Sequence, residues 1–425
     1  MITWADFYSL QRFGMTPDLA NIQLFCEHLG HPEASFPSVH VGGTNGKGSV
    51  VAILDSVLRA AGLRVGMYTS PHLVRFEERI RVGGIPIPEA AVFAFLDQHW
   101  DFIRRHRCTF FETATALAFD YLRQQNVELA VVEVGLGGRY DATRVVNSIL
   151  SIITRIDLDH TDRLGTTFSE IAADKAGIFR SGSLALISEQ NQEAQSTLER
   201  SARQIEVLLH CAEDIVALSE LQITPLGISG KASFNRLNAE SLLNDWQLPL
   251  TGFFQIENLK VSLAAIDLLK SLYPCITIDA IRQGINSVTW LGRLQRLQSD
   301  PEVILDVGHN PGAVRAALKS VKEIWNPRRI IAVFSALQDK DVVGMMRILK
   351  ENVDDACLTP LATYRGSSLS ELTDIAKSIS WKTQLAENPD LALQTALTDS
   401  DRETVILVIG SHALVGEVLK KRNFA

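Results

Sequence analysis

The sequence predicts an α/β protein with two domains. The larger is a doubly wound N-terminal domain built on a phosphate-binding loop (P-loop), and a smaller doubly wound domain follows it. Three observations carry this. Apolar, strand-like runs alternate with segments of helical periodicity. A glycine-rich turn joins one such strand to one such helix near the N-terminus. The alternation then restarts after a polar-apolar turn at Trp290–Gln295, dividing the chain into residues 1–294 and 295–425. At 425 residues the chain is also too long for one ordinary core.

Residues 1–37 read as helix and loop, with Leu19, Ile22, Phe25, Cys26 and Leu29 on one apolar face before Gly30. Val39 and Val41, flanking His40, form a short buried strand that leads into Gly42-Gly43-Thr44-Asn45-Gly46-Lys47-Gly48-Ser49. Behind this turn Val50, Val51, Ile53, Leu54, Val57, Leu58 and Ala61 recur at helical spacing until Gly62. Strand, glycine turn and helix together suit a phosphate cradle, in which backbone N–H groups and the helix N-terminus face the anion. Lys47 supplies an ammonium to the terminal phosphates, and the Ser49 hydroxyl can reach Mg²⁺ or its water. The strict G-x-x-x-x-G-K-[ST] pattern is not met. Val41 stands at its first glycine, and Gly48 separates lysine from serine.

Leu63–Thr69 is the next strand, ending at Ser70-Pro71-His72-Leu73. Ligands of open α/β sheets collect at the carboxyl ends of strands, which places Ser70 beside the phosphate turn. Most of the charge-rich Arg75–Arg81 reads as a solvated face. Phe110-Phe111-Glu112 precedes a helix at Thr113–Tyr121. Glu128–Val134 is a buried strand interrupted by Glu133, whose carboxylate must be paired, liganded or protonated. A metal ligand is favoured there. A flexible loop follows at Gly135–Asp141, then a strand at Ser151–Thr154 with Asp157, Asp159 and His160 beyond its end. Thr167 and Glu170 form a capping box for a helix carrying Lys175. Residue types alone read Lys175 as an ion-pair partner of Asp174.

From Ser181 to Leu250 the pattern is weak, with strands expected at Leu184–Ile187 and Ile205–Leu209. Gly252–Asn258 precedes a helical pattern, and Trp290–Gln295 is the hinge. Beyond it lie strands at Val303–Val307, Arg329–Phe334 and Val405–Ile409, and a turn at Gly308–Gly312 into a helix at Ala313–Ile324. Composition is that of a globular protein, 46% hydrophobic and 21% charged. The net charge of −8 argues against a nucleic-acid surface. No apolar run approaches the ~20 residues of a membrane span, and the N-terminus shows no signal-peptide pattern. Five scattered cysteines without C-x-x-C spacing suit reduced thiols in the cytoplasm.

These segments, in this order, closely resemble the folylpolyglutamate synthase/dihydrofolate synthase family, relatives of the Mur ligases. The resemblance rests on His40–Ser49, Thr69–Leu73, Glu78-Arg79-Ile80, Phe111-Glu112, Glu133–Arg139, Asp141-Ala142-Thr143, Asp159-His160, Lys175–Ile178, Gly292-Arg293 and Asp306 with His309-Asn310-Pro311. It implies an ATPase-like N-terminal domain and a Rossmann-like C-terminal domain with the active site between them. ATP would activate a folate or dihydropteroate carboxylate as an acyl phosphate, which L-glutamate attacks. By matching position, Gly43, Thr44, Asn45, Gly46, Lys47, Gly48 and Ser49 would bind ATP phosphates, and Asn258, Arg293 and Asp306 the nucleotide. Ser70, Glu133 and His160 would hold two Mg²⁺ ions with Lys175, which matches the family's carbamylated lysine. Lys47, Glu133, His160 and Lys175 form the catalytic set. Phe110, Phe111 and Asp141 match pterin-side positions, and His309 the incoming glutamate. Arg144 stands where the family usually has Asn. The family's usual form is a monomer.

Two other readings exist, a Mur-type peptidoglycan ligase and a P-loop nucleotide switch that does not ligate. Thr69–Leu73 and the missing extra N-terminal domain argue against the first. The assembled Glu133, His160 and Lys175 argue against the second.

Overall fold

The computed structural model describes residues 2–13, 18–235, 242–363 and 365–422. Its first sheet comprises β1 (Ser38–Gly42), β2 (Val65–Tyr68), β3 (Ile80–Val82), β4 (Ile85–Pro86), β5 (Leu129–Glu133), β6 (Ser148–Ile153), β7 (Leu184–Ile187) and β8 (Leu208–Cys211). The order across it is β4-β3-β2-β5-β1-β6-β7-β8, parallel except at the β3 and β4 edge. β1 and β5 are buried along their whole length because helices cover both faces of the sheet. Val39, Val41 and Val131 pack with the helices Lys47–Ala60 and Phe254–Leu269. Tyr68 and Val132 face the helices Glu89–His106 and Phe110–Gln124 on the other side.

Burial, not intrinsic propensity, sets the helix after the glycine turn. Val50, Val51 and Val57 are β-branched, costing up to about 0.7 kcal/mol each in helix propensity. All three are fully buried, which contributes roughly 1.5–3 kcal/mol each.

The chain fills β2 and β5 on one side of β1, then crosses to β6 on the other. The crevice at this reversal opens at the carboxyl ends of β1, β5 and β6.

A second, antiparallel sheet joins β9 (Val216–Thr224), β10 (Gly227–Phe234) and β11 (Leu242–Leu248). Sequence periodicity does not reveal it. The strand expected at Ile205–Leu209 lies instead at β8, because the helix Gln192–Gln204 runs up to Ile205.

The third sheet runs β12-β13-β17-β14-β15-β16, from β12 (Gln295–Ser299), β13 (Glu302–Asp306), β14 (Arg329–Phe334), β15 (Asp355–Leu358), β16 (Gln384–Leu385) and β17 (Thr404–Ile409). It is parallel apart from β12, with apolar layers on both faces.

Two expectations need correction. The helix expected to begin at Thr113 starts at Phe110, capped by Thr109 with Glu112 completing the capping box. Arg75–Arg81 is not a solvated face for the most part, since only Arg75 is exposed. Phe76 and Arg79 are buried, and the Glu78 carboxylate accepts the backbone N–H groups of Leu73, Val74 and Arg75. No helix among the described residues is long and apolar enough to cross a membrane.

Candidate active site

The glycine turn is held by the segment that follows β6. Thr44 and Asn45 donate their N–H groups to the Arg155 carbonyl, and the Thr154 hydroxyl donates to the Asn45 carbonyl at 2.8 Å. Gly43 (φ +136°) and Gly46 (φ +96°) adopt left-handed conformations that favour glycine. A Cβ on Gly43 would lie against the Thr154 hydroxyl, and one on Gly46 would meet Asn258 Oδ1 at 2.2 Å. The first helical N–H groups, from Lys47 onward, have no intrahelical partner and face the cleft.

Lys47 and Lys175 converge on one acceptor. Lys47 Nζ donates to the carbonyls of Gly43 and Thr44 at 3.2 Å each, and Lys175 Nζ to Gly43 O at 2.9 Å. Lys175 is almost fully buried. Burial first, and then the neighbouring Lys47 charge, bring its pKa down from 10.5 to about 7. Asp174 is not in salt-bridge contact with it: among the described residues no carboxylate lies within 4.0 Å of Lys175 Nζ, Asp174 Oδ2 is buried without a hydrogen bond, and the Asp174 charge acts on Lys175 only from a distance.

Glu133 ends β5 and accepts the Ser70 backbone N–H at 3.0 Å through Oε2. Burial raises its pKa, opposed by Lys47, the Ser70 N–H, Arg293 and Arg79. A carboxylate, a hydroxyl and incoming phosphate oxygens form the open, all-oxygen set that Mg²⁺ prefers. Glu133 and Ser70 therefore fit such an ion, completed by substrate and water.

His160 offers an imidazole, with Nε2 2.8 Å from Lys340 Nζ. Burial and the Lys340 charge hold it neutral, with a pKa lowered to about 4. Among the described residues, three His, Cys, Asp or Glu side chains come within metal-sharing distance only at Glu189, Glu213 and Glu257. Lys260 already lies 3.5 Å from Glu213 and 3.4 Å from Glu257.

The second domain closes the cleft. Asp306 ends β13 and accepts the N–H groups of Leu294 (3.0 Å) and Gly308 (2.7 Å). Arg293 is half-buried beside it, and the desolvation that lowers its pKa is opposed by the Asp306 charge. Asn310 caps the helix Pro311–Trp325 and donates to Asn45 Oδ1 at 3.0 Å, across the domain boundary. His309 Nε2 lies 3.6 Å from Asp159. One cavity of about 1250 Å³ is lined by every sequence-predicted site residue except Asp141.

Asp141 is fully buried beneath the loop. It accepts the backbone N–H groups of Leu136 at 2.8 Å and Thr143 at 3.0 Å, and the Thr143 hydroxyl as well. Arg144 is likewise structural, its Nε donating to the Gly177 carbonyl at 2.8 Å. Asn258 lies within the helix Phe254–Leu269, not ahead of it, and its amide donates to Gln255, whose own amide donates to Ser49.

Two of the several cations that line the cleft, Arg79 and Lys340, carry no site role read from the sequence. Arg79 Nε donates to His72 Nδ1 at 2.9 Å, with its guanidinium 5.3 Å from the Phe110 ring centre. Lys340 follows β14 in Leu337-Gln338-Asp339-Lys340-Asp341, and a polar turn after a buried strand was the available signal.

Residues 41–266 match the Mur ligase middle domain and residues 292–412 the Mur ligase glutamate ligase domain. The dihydrofolate synthase/folylpolyglutamate synthase of Bacillus subtilis is 33% identical over 96% of this chain and 96% of its own. That of Escherichia coli is 34% identical over 95% and 90%. Among solved structures, Mycobacterium tuberculosis folylpolyglutamate synthase complexed with ADP and AMPPCP superposes with a TM-score of 0.88, at 31% identity over 95% of both chains. E. coli FolC in complex with DHPP and ADP gives 0.85 at 32% identity, over 99% of this chain and 97% of that one. The Yersinia pestis bifunctional enzyme complexed with AMPPNP and Mn gives 0.82 at 31% identity, over 96% and 94%. With both halves of the cleft matched, the chain belongs to the folylpolyglutamate synthase/dihydrofolate synthase family of ATP-dependent ligases, built on Mur ligase domains.

Proposed function

We propose that this protein joins the amino group of L-glutamate to a carboxylate of dihydropteroate or folate, at the expense of ATP. The observation that carries this reading is the single cleft in which a phosphate loop and its lysines meet Arg293, Asp306 and His309 from the hinge and second domain. In this reading residues 1–294 supply the phosphate side and residues 295–425 the acceptor side.

A substrate carboxylate oxygen attacks the γ-phosphorus of ATP, and ADP leaves. The glutamate nitrogen then attacks the acyl carbon of the resulting acyl phosphate; the C–O bond breaks with its electron pair going to the departing inorganic phosphate, which takes up the proton the nitrogen loses. Charge build-up on transferring phosphoryl oxygens is countered by Lys47, the helix N–H groups and Arg293. Asn258 positions the glycine turn through Gly46, and Asp306 orients the hinge through its two backbone bonds. Phe110 and Phe111 offer aromatic faces to the pterin. Asp141 acts through the 135–143 loop rather than by contact.

Ser70, Glu133 and His160 would hold two Mg²⁺ ions with Lys175, supplying charge neutralisation for phosphoryl transfer. Lys175 would join them as a carbamate, because a lysine with a pKa near 7 keeps a large neutral fraction that CO₂ can attack. We take the enzyme to act as a cytoplasmic monomer.

The test is purified protein with ATP, glutamate and either dihydropteroate or tetrahydrofolate, products resolved by mass. Phosphate release that needs both glutamate and a pteridine carboxylate is expected. Release without either would replace ligation with a nucleotide switch.

A further inference from the structure

Lys340 reaches from the second domain into the first. Its Nζ lies 2.8 Å from Asp159 Oδ1, 3.0 Å from Oδ2 and 2.8 Å from His160 Nε2. The Lys340 side chain is only 5% exposed and that of Asp159 10%, while His160 is 24% exposed, so the contact is a part-buried one across the domain seam. An ammonium has no acceptor. His160 Nε2 must therefore accept, with its lone pair aimed at Lys340 and its ring proton on Nδ1. The same lone pair is what a divalent cation takes when an imidazole ligates it, and it serves one partner at a time. Asp159 fixes both partners, since its carboxylate also accepts the His160 backbone N–H at 2.9 Å.

We propose that Lys340 is the resident counter-cation of His160: it holds the Nε2 lone pair until a divalent ion displaces it. Metal entry and this interdomain bond then exclude one another. Lys340 stays on Asp159 when displaced, ready to return. Coupling of this kind is reciprocal, so whatever tightens the Lys340–His160 bond weakens the metal, and the reverse.

The inference rests on the assignment of His160 as a metal ligand, and the experiment separates the two. The full chain is saturated with AMPPNP and titrated with Mn²⁺. Free Mn²⁺ is read by EPR, and imidazole ligation by nitrogen hyperfine coupling in pulsed EPR. Lys340→Met should tighten the imidazole-coupled Mn²⁺ by at least about fivefold, the lower end of measured coupling. Lys340→Gln, which keeps a donor for Asp159, should shift it the same way and serves if the methionine variant folds poorly. His160→Gln should remove the nitrogen coupling, and adding Lys340→Met to it should change nothing further. Unchanged or weaker Mn²⁺ binding in both Lys340 variants overturns the inference. So does tightening that persists in the His160→Gln background, since that is a general charge effect. Nitrogen coupling that is missing from the unmodified protein, or that survives His160→Gln, overturns the ligand assignment itself.

Discussion

At the scale of single residues, the site is governed by two lysines sharing one carbonyl. Lys47 contributes to the depressed pKa of Lys175, after burial. Replacing Lys47 with alanine removes a cation that disfavours the charged form of Lys175, so the Lys175 pKa rises toward its ordinary value and less neutral amine remains at pH 7. The expected outcome has two parts. Turnover of Lys47→Ala falls by at least about 10²-fold, the scale of losing a preorganised phosphate-side charge. The pH midpoint for carbamate formation on Lys175, followed by NMR with ¹³C-bicarbonate, moves upward. Far-UV circular dichroism should be unaltered, because Lys47 bonds only to backbone carbonyls of its own loop. An unchanged midpoint would disconnect the two lysines. Glu133→Ala should also abolish turnover, measured as phosphate release. Sequence physics pointed Lys175 at Asp174 because adjacent opposite charges suggest a pair. The fold turns Lys175 toward Gly43 instead, 132 positions away, and no local rule carries that information.

At the scale of elements, the glycine turn and the helix bearing Lys175 make separable predictions. Gly46→Ala puts a Cβ 2.2 Å from Asn258 Oδ1 at a φ of +96°, so loop or helix must shift. AMPPNP affinity by calorimetry should fall at least about tenfold, a 1.4 kcal/mol loss. Gly62→Ala is the control: its φ is +87° but no atom lies within 4 Å of the new Cβ. It should cost about 1–2 kcal/mol of stability and leave nucleotide affinity unchanged. Thr167→Ala removes the cap of the helix Phe168–Lys175, and should lower stability in urea by about 1 kcal/mol. That capping box was legible because it is local chemistry, four residues long. β1, β5, β6 and β14 were legible because strands buried on both faces are mostly apolar, with Ser38, His40, Glu133, Ser148 and Ser151 as the buried polar exceptions in the first three. β9, β10 and β11 were not. β10 reads Gly-Ile-Ser-Gly-Lys-Ala-Ser-Phe, and a register shift between Ser229 and Lys231 breaks the alternation on which strand recognition depends.

At the scale of the whole molecule, the cleft is assembled from groups that lie far apart in the chain, so its cations were legible only as motif members. Arg79 sits in a run of charges that resembles a solvated face, and Lys340 in a polar turn. Only the folded structure shows that Arg79 is buried among His72, Phe76 and Phe110 of the first domain, and that the Lys340 side chain is covered at the seam between the two domains. The fold also holds histidines in neutral form, His40 fully buried within the first domain and His72 and His412 half-buried. Burial lowers the pKa of His40 to about 3 and of His72 to about 3, and puts that of His412 well below its ordinary 6.5. In each case nearby cations act in the same direction. The unfolded chain takes up these protons near pH 6.5 and the folded chain does not. The unfolded state therefore binds more protons below pH 6.5, and stability from this source falls as pH falls toward the folded-state values. Each such group contributes a slope of up to about 1.4 kcal/mol per pH unit. Buried carboxylates with raised pKa, among them Asp141 and Asp306, act in the opposite sense, so the total slope does not isolate the histidines. A difference measurement does. His40 Nε2 meets the Thr143 hydroxyl at 2.8 Å, and that hydroxyl also contacts Asp141. Glutamine there can retain a donor without a titrating proton. Urea unfolding of the His40→Gln variant between pH 6.5 and 4.5 should show a pH slope shallower than that of the unmodified protein by up to about 1.4 kcal/mol per unit. Parallel slopes would mean that His40 takes up its proton in the folded state and that the core beneath the phosphate loop admits charge.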